Sequence, residues 1–166
     1  MKKFFSIAIF TIMMAALTFL SSCGEDDLVP DDNQEQVMME WTEPLHTKNS
    51  SVEDVKAYMA SSMKGYRLVA ETSTTENTQL AYSTSNPNVG VLYSFSNVTG
   101  QLYSVIDTEL ASNSTVIINF LRDHYDLVSS DKASLQYCFA SPDKSMVITT
   151  VKVSDVCFNI NYTFVY

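Results

Sequence analysis

From Ser50 onward, apolar and polar residues alternate with two different periods, and the switches between periods predict the elements. Val52, Val55, Tyr58, Met59 and Met63 fall near helical spacing. Ser50 and Glu53 stand at capping-box spacing, where a hydroxyl and a carboxylate each satisfy an orphan amide, and Gly65 supplies a stop. Four runs of period two follow, near Tyr66–Thr72, Gln79–Thr84, Val91–Asn97 and Gln101–Asp107, separated by polar turn residues and by Gly90 or Gly100. A second helix is contested. Thr115, Val116, Ile117 and Ile118 are β-branched throughout and locally favour a strand. Ile117, Phe120, Leu121 and His124 nevertheless mark a helical face, with Ser114 placed to cap it. Four more strands are predicted near Tyr125–Ser129, Ser134–Ala140, Met146–Val153 and Val156–Phe164.

An internal repeat decides the contested segment. Gly65–Val69 matches His124–Val128 at an offset of 59 residues. Leu80–Ser83 matches Leu135–Cys138, Val91–Ser96 matches Met146–Val151, and Gln101–Ile106 matches Val156–Asn161, all at an offset of 55. A shorter turn in the second copy accounts for the change of offset. The repeat predicts helix for the second copy as for the first. The fold class expected is α+β: two tandem helix-plus-four-strand antiparallel units, about residues 50–109 and 112–166, with the helices on one sheet face. In the order of its elements this arrangement resembles the β-lactamase inhibitor protein-like fold and, in part, small lipoproteins of outer-membrane assembly. The resemblance spans about residues 50–166 and implies a protein-binding module. A single β-sandwich with one helix is the alternative fold.

The N-terminal pattern is different. Lys2 and Lys3 precede an almost wholly apolar run from Phe4 to Leu20. A cationic start, a short apolar stretch and small residues are the signature of a secretory signal. The run falls somewhat short of the ~20 residues that span a membrane comfortably. It closes on Leu20-Ser21-Ser22-Cys23, which resembles the lipobox of bacterial lipoproteins. That resemblance implies cleavage after residue 22 and acylation of Cys23. Gly24-Glu25-Asp26-Asp27 resembles the acidic tag that, in one Gram-negative phylum, sends lipoproteins to the outer face of the outer membrane. Glu25, Asp26 and Asp27 are then an export tag; the other reading is a solvated linker. The organisation expected is a signal peptide over 1–22, a lipidated acidic tether over 23–40 and a globular domain over 41–166.

Charge sharpens this division. Removing residues 1–22 takes away Lys2 and Lys3, leaving 144 residues with a net charge of −11. Gly24–Glu40 holds seven acids and no base, and Trp41–Tyr166 holds twelve acids and eight bases. The composition predicts a disordered tether, which extended at ~3.3 Å per residue would reach roughly 50 Å. With no basic stripe, nucleic acid is not an expected partner.

The chemistry-bearing residues are sparse. The two histidines, His46 beside Pro44 and His124 at a helix end, are expected to be an exposed residue and a dipole-complementing one. No Gly-x-Ser-x-Gly occurs, and the Cys and His residues do not cluster at zinc spacing. Asp26, Asp27, Asp31 and Asp32 crowd together without the glycine and distal glutamate of an EF-hand. No catalytic residue, metal or cofactor is expected. Tyr82, Tyr137, Phe139, Phe158 and Ile160 take the core phase of their strands. Their alternates, Gln79, Ala81, Gln136, Cys138, Asn159 and Asn161, face away from the helices. Gln136, Asn159 and Asn161 on that neutral face, together with Trp41 ahead of the first helix, are the candidate binding residues, with pinning of the arm as the other role for Trp41. Cys138 and Cys157, on strands separated by a third, are expected to be unbridged thiols. The expectation is a lipid-anchored, surface-exposed binding module of the outer membrane that recruits a protein or glycan partner. The alternative is a structural subunit of an outer-membrane or fimbria-like assembly.

Overall fold

The computed structural model describes residues 41–165. A lead-in strap runs from Trp41 to Ser51 and enters helix α1 (Val52–Ser61). Strands β1 (Arg67–Ser73), β2 (Asn77–Ser83), β3 (Gly90–Ser96) and β4 (Leu102–Leu110) follow, then a single 3₁₀ turn and helix α2 (Ser114–His124). Strands β5 (Asp126–Asp131), β6 (Gln136–Ala140), β7 (Met146–Lys152) and β8 (Cys157–Phe164) complete the chain. All eight strands form one antiparallel sheet in the order β1-β2-β3-β4-β8-β7-β6-β5. Cys23, Glu25, Asp26 and Asp27, with the predicted signal peptide and tether, lie outside the described residues.

Both helices pack on the same side of the sheet. Val55, Met59, Ile117, Ile118 and Leu121 share one core with inward residues such as Leu80, Tyr93, Phe139, Ile148 and Ile160. This burial overrides the strand preference of Val116–Ile118: Ile117, Ile118 and Leu121 turn inward at helical spacing, and packing outweighs a weak local propensity. The strands show the predicted alternation, with Tyr82, Tyr137, Phe139, Phe158 and Ile160 buried and their neighbours turned to the other face.

Several boundaries move for local reasons. The capping box is Ser51 with Asp54, not Ser50 with Glu53. Ser50 is buried and its hydroxyl donates to the Thr47 carbonyl, closing a turn in which Asn49 adopts φ +70°. Ser114 does not cap α2, because the preceding 3₁₀ turn runs straight into the helix; Asn113 takes the N-cap position, and its amide donates instead to Glu109. Strand β6 begins at Gln136, since Leu135 turns the chain with φ +52°. Strand β4 continues past Asp107 to Leu110 and pairs with β8 along that whole extension.

Gly90 sits where the β3 backbone passes β2. A Cβ there would lie 2.6 Å from the Tyr82 carbonyl oxygen, an atom of a paired backbone with little room to give. Gly90→Ala is expected to lower stability by about 1–3 kcal/mol, the usual cost of overpacking, as read by chemical denaturation.

Cys138 and Cys157 are unbridged. Strand β7 lies between their strands, and Cys157 stands four residues along β8 from Asn161, which shares a lateral row with Thr149 and Cys138. Strand spacing and rise put the two roughly 16 Å apart, beyond the ~7 Å a disulfide tolerates. Unreduced protein is expected to show two alkylatable thiols by mass spectrometry.

Candidate functional site

The uncovered sheet face is built by side-chain alternation alone. Its middle row follows paired positions across six strands: Ala81, Leu92, Ile106, Asn161, Thr149 and Cys138. On one side of it lie Ser83, Thr108, Asn159 and Val151, and on the other Gln79, Ser94, Ser104, Thr163 and Val147. None of these side chains carries a charge. Asn159 accepts a hydrogen bond from the Thr108 hydroxyl at 2.9 Å, and the Asn161 amide reaches Thr149 at 3.4 Å. Gln136 is exposed at the start of β6 and lines an open cleft of about 420 Å³ with Ser134, Lys152, Val153, Ser154 and Asp155. Lys152 is engaged by Asp155, so this cleft too is locally neutral.

Trp41 belongs to the opposite side of the molecule. Its indole N–H donates to Asp107 Oδ2 at 3.0 Å and its ring meets Phe120 of α2 edge-on at 5.1 Å. Of the four candidate binding residues, three therefore share or border the bare face, and Trp41 holds the strap to the core.

Under the strap lies a cluster that sequence reasoning missed. Asp107 is fully buried, with Oδ2 bonded to Trp41 and Oδ1 without any partner. Burial drives its carboxyl well above the ordinary carboxylate range, and the nearby carboxylates Glu109 and Glu43 add to the rise while the Trp41 bond opposes it. Glu109 is also raised, again by burial, though Asn113, Tyr66 and the Leu110 amide donate to it and hold the rise back. Glu43 on the strap accepts the Tyr125 hydroxyl at 2.8 Å and the Tyr162 hydroxyl at 3.2 Å. The phenols of Tyr66, Tyr125 and Tyr162 are pushed upward, first by burial and then by these carboxylates.

His46, expected to be exposed, is half-buried beside this cluster. Its Nδ1 contacts the Pro44 carbonyl at 2.8 Å, its Nε2 contacts the Tyr125 hydroxyl at 3.0 Å, and its ring stacks on Tyr162. His124 caps its own helix through Nδ1 and the Phe120 carbonyl. Among the described residues no group of three or more His, Cys, Asp or Glu side chains could hold a metal, and no helix is long and apolar enough to cross a membrane. A signal for the acid cluster did exist. Val105, Asp107 and Glu109 stand two residues apart, so the acids occupy the phase that buries Val105.

Compared with protein-family models, curated proteins and solved structures, the chain matches none of them.

Proposed function

We propose that this chain is a lipid-anchored binding module of the outer membrane, displayed at the cell surface, that recruits a protein or glycan partner through the uncovered sheet face. The anchor rests on Cys23 closing the apolar leader, and the address on Glu25, Asp26 and Asp27. One observation carries the binding role: six adjacent strands present a continuous face without charge, in a domain that holds twelve acids and eight bases elsewhere. Solubility alone would favour charges there, whereas interface centres are depleted in them. Five strand spacings of ~4.8 Å by six or seven residues make roughly 500 Å², below the ~800 Å² one partner contributes to a standard interface and in the range of a small, transient one.

On the same reading the domain is a pair of tandem αββββ units, which keeps the resemblance to the β-lactamase inhibitor protein-like fold. Each half is a four-strand meander, and the two meet at β4 and β8. Strands β1 and β5 carry a register shift at matching places, Leu68/Ala70 and Leu127/Ser129. Both shifts leave a valine outside the pairing, Val69 and Val128, 63% and 64% exposed. Lys56 of α1 reaches Glu71 of β1, while Arg122 of α2 lies over Tyr137 of β6, so each helix contacts strands of its own half. Partner positions place Tyr82 with Phe139 and Val91 with Ile148, an offset of 57 where the sequence matches suggest 55. A two-residue slip keeps every side chain on its face.

The test is partner capture from native membranes with the lipidated protein as bait. Asn159→Arg and Gln136→Arg are expected to change stability by no more than ~0.5 kcal/mol, as at typical surface positions, and to abolish capture of the species the unaltered protein takes. Val98→Arg, in the exposed β3–β4 turn, is expected to leave capture intact. Undiminished capture by both face variants moves the binding surface elsewhere. The alternative role as an assembly subunit has its own support. Edge strands β1 and β5 are exposed along their whole length and carry Leu68, Val69, Leu127 and Val128 on the surface.

A further inference from the structure

The strap is the only described connection between the domain and residues 1–40, and it is clamped over a buried acid that has one hydrogen bond where it has room for more. Trp41 covers Asp107, and a buried carboxylate with an orphaned oxygen is stable only while it is neutral. We propose that residues 41–46 form a proton-linked clasp: docked on the domain while Asp107 holds its proton, and released from it as pH rises and that proton is lost.

The groups facing Asp107 support this from every side. Glu109 on its own strand and Glu43 on the strap are carboxylates and disfavour a third negative charge. Tyr66 before β1, Tyr93 on β3 and Tyr162 on β8 also feel its charge. Their hydroxyls are committed elsewhere, to Glu109, to the Met59 sulfur and to Glu43, so none stabilises ionised Asp107 by donating to it. Helix α2 contributes the uncharged Phe120 ring against Trp41. His46 contacts Pro44 and Tyr125 and stands 3.9 Å from Glu43, so it acts on the strap's second contact and not on Asp107.

A hinge is also in place. The turn at Thr47–Ser50, with Asn49 at φ +70°, is held by the Ser50 bonds to Thr47 and by the Leu102 amide donating to the Ser50 carbonyl. Residues beyond it are fastened to the sheet by backbone bonds, while 41–46 are held through side chains: Trp41 to Asp107, Glu43 to Tyr125 and Tyr162, Tyr58 to the Glu43 carbonyl, the Leu45 backbone to the Tyr93 hydroxyl, and the Trp41 and Leu45 side chains against the core. With the flap lifted, Asp107 meets water and ionises as an ordinary aspartate does. Docking therefore holds a proton that opening releases. Between the open-state and docked-state ionisation ranges, the open fraction rises up to about tenfold per pH unit for one proton.

Trp41 is the chain's single tryptophan and reports on the clasp directly. The experiment follows acrylamide quenching of its fluorescence from pH 5 to 10 in the full chain held in a neutral detergent, with far-UV circular dichroism in parallel. Quenching is expected to rise several-fold with pH at constant dichroism, and Asp107→Asn is expected to make it flat. Glu109→Gln, which removes a neighbouring carboxylate, is expected to give a smaller rise that ends at lower pH. Flat quenching in the unaltered chain, a rise that persists in Asp107→Asn, or loss of dichroism in step with quenching each overturns the proposal. If Asp107→Asn does not fold, Glu109→Gln decides, and a rise identical to that of the unaltered chain overturns it.

Discussion

Cys23→Ala is expected to abolish acyl labelling and to leave the precursor uncut after residue 22. The effect is all-or-none because nothing else is proposed to hold the chain at the membrane. A buried acyl chain contributes about 0.8 kcal/mol per CH₂, and two or three chains together anchor firmly where one alone is marginal. Losing the thiol removes every chain at once. The described domain offers no substitute, since none of its helices is long and apolar enough to cross a membrane. Incorporation of a labelled fatty acid checks the result, and label retained in the variant sinks the lipoprotein proposal. The address separates from the anchor. Replacing Glu25, Asp26 and Asp27 with alanine is expected to keep the label while removing access to external protease. Unchanged access removes the address and leaves the anchor standing.

The order of elements was legible because period two and period 3.6 are set by which face is buried. All eight strands and both helices lie within a few residues of their predicted places. Helix α2 is instructive, since Thr115–Ile118 favours a strand locally while the spacing of Ile117, Phe120, Leu121 and His124 and the sequence repeat pointed to helix. What overrides propensity there is burial of Ile117, Ile118 and Leu121, a tertiary effect invisible in a four-residue window. Boundaries failed where a single side chain had a better use. Ser50 turns inward to Thr47, so the cap passes to Ser51.

The bare face was legible by the same alternation, as a list of neutral residues in the outward phase. Which of them are neighbours was not, because that depends on β4 pairing with β8 and on the register of the pair. Ile106 opposite Asn161 joins β4 to β8 at the centre of the face. The acid cluster was missed for a different reason. The predicted strand ended at Asp107, so its alternation was not followed to Glu109. Carried three residues further, the alternation puts Asp107 and Glu109 in the core phase, where unpaired acids are rare enough to stand out. The contacts that Trp41 makes with Asp107, His46 with Tyr125 and Glu43 with Tyr162 span 66 to 119 residues and leave no trace in local pattern.

Asp107→Asn is expected to flatten the alkaline side of the stability profile, gaining on the unaltered chain by up to ~1.4 kcal/mol for each pH unit over which the buried carboxyl would otherwise keep its proton. The sign follows from linkage. Burial raises the carboxyl's ionisation in the folded chain above its unfolded value. Over the interval between the two, the folded state keeps a proton that the unfolded state has lost. The associated stability is fully present below the unfolded value and is lost as pH climbs through the folded one. Each unit of separation is worth ~1.4 kcal/mol. Asparagine keeps an oxygen for the Trp41 indole and cannot ionise, so this loss disappears. Glu109, raised by burial in the same direction, leaves a residual slope that Asp107→Asn with Glu109→Gln removes. The acid side behaves oppositely. Asp143 is held down to about 2 by the Ser141 and Ser145 hydroxyls and the Ser145 amide, so the stability it lends is lost as pH falls, in both the unaltered chain and the variant. Urea unfolding of the domain at several pH values between 4 and 10 checks the prediction. The two curves are expected to diverge from the unfolded aspartate range upward until the folded carboxyl ionises, and curves that stay parallel to pH 10 mean that Asp107 is as easily ionised folded as unfolded.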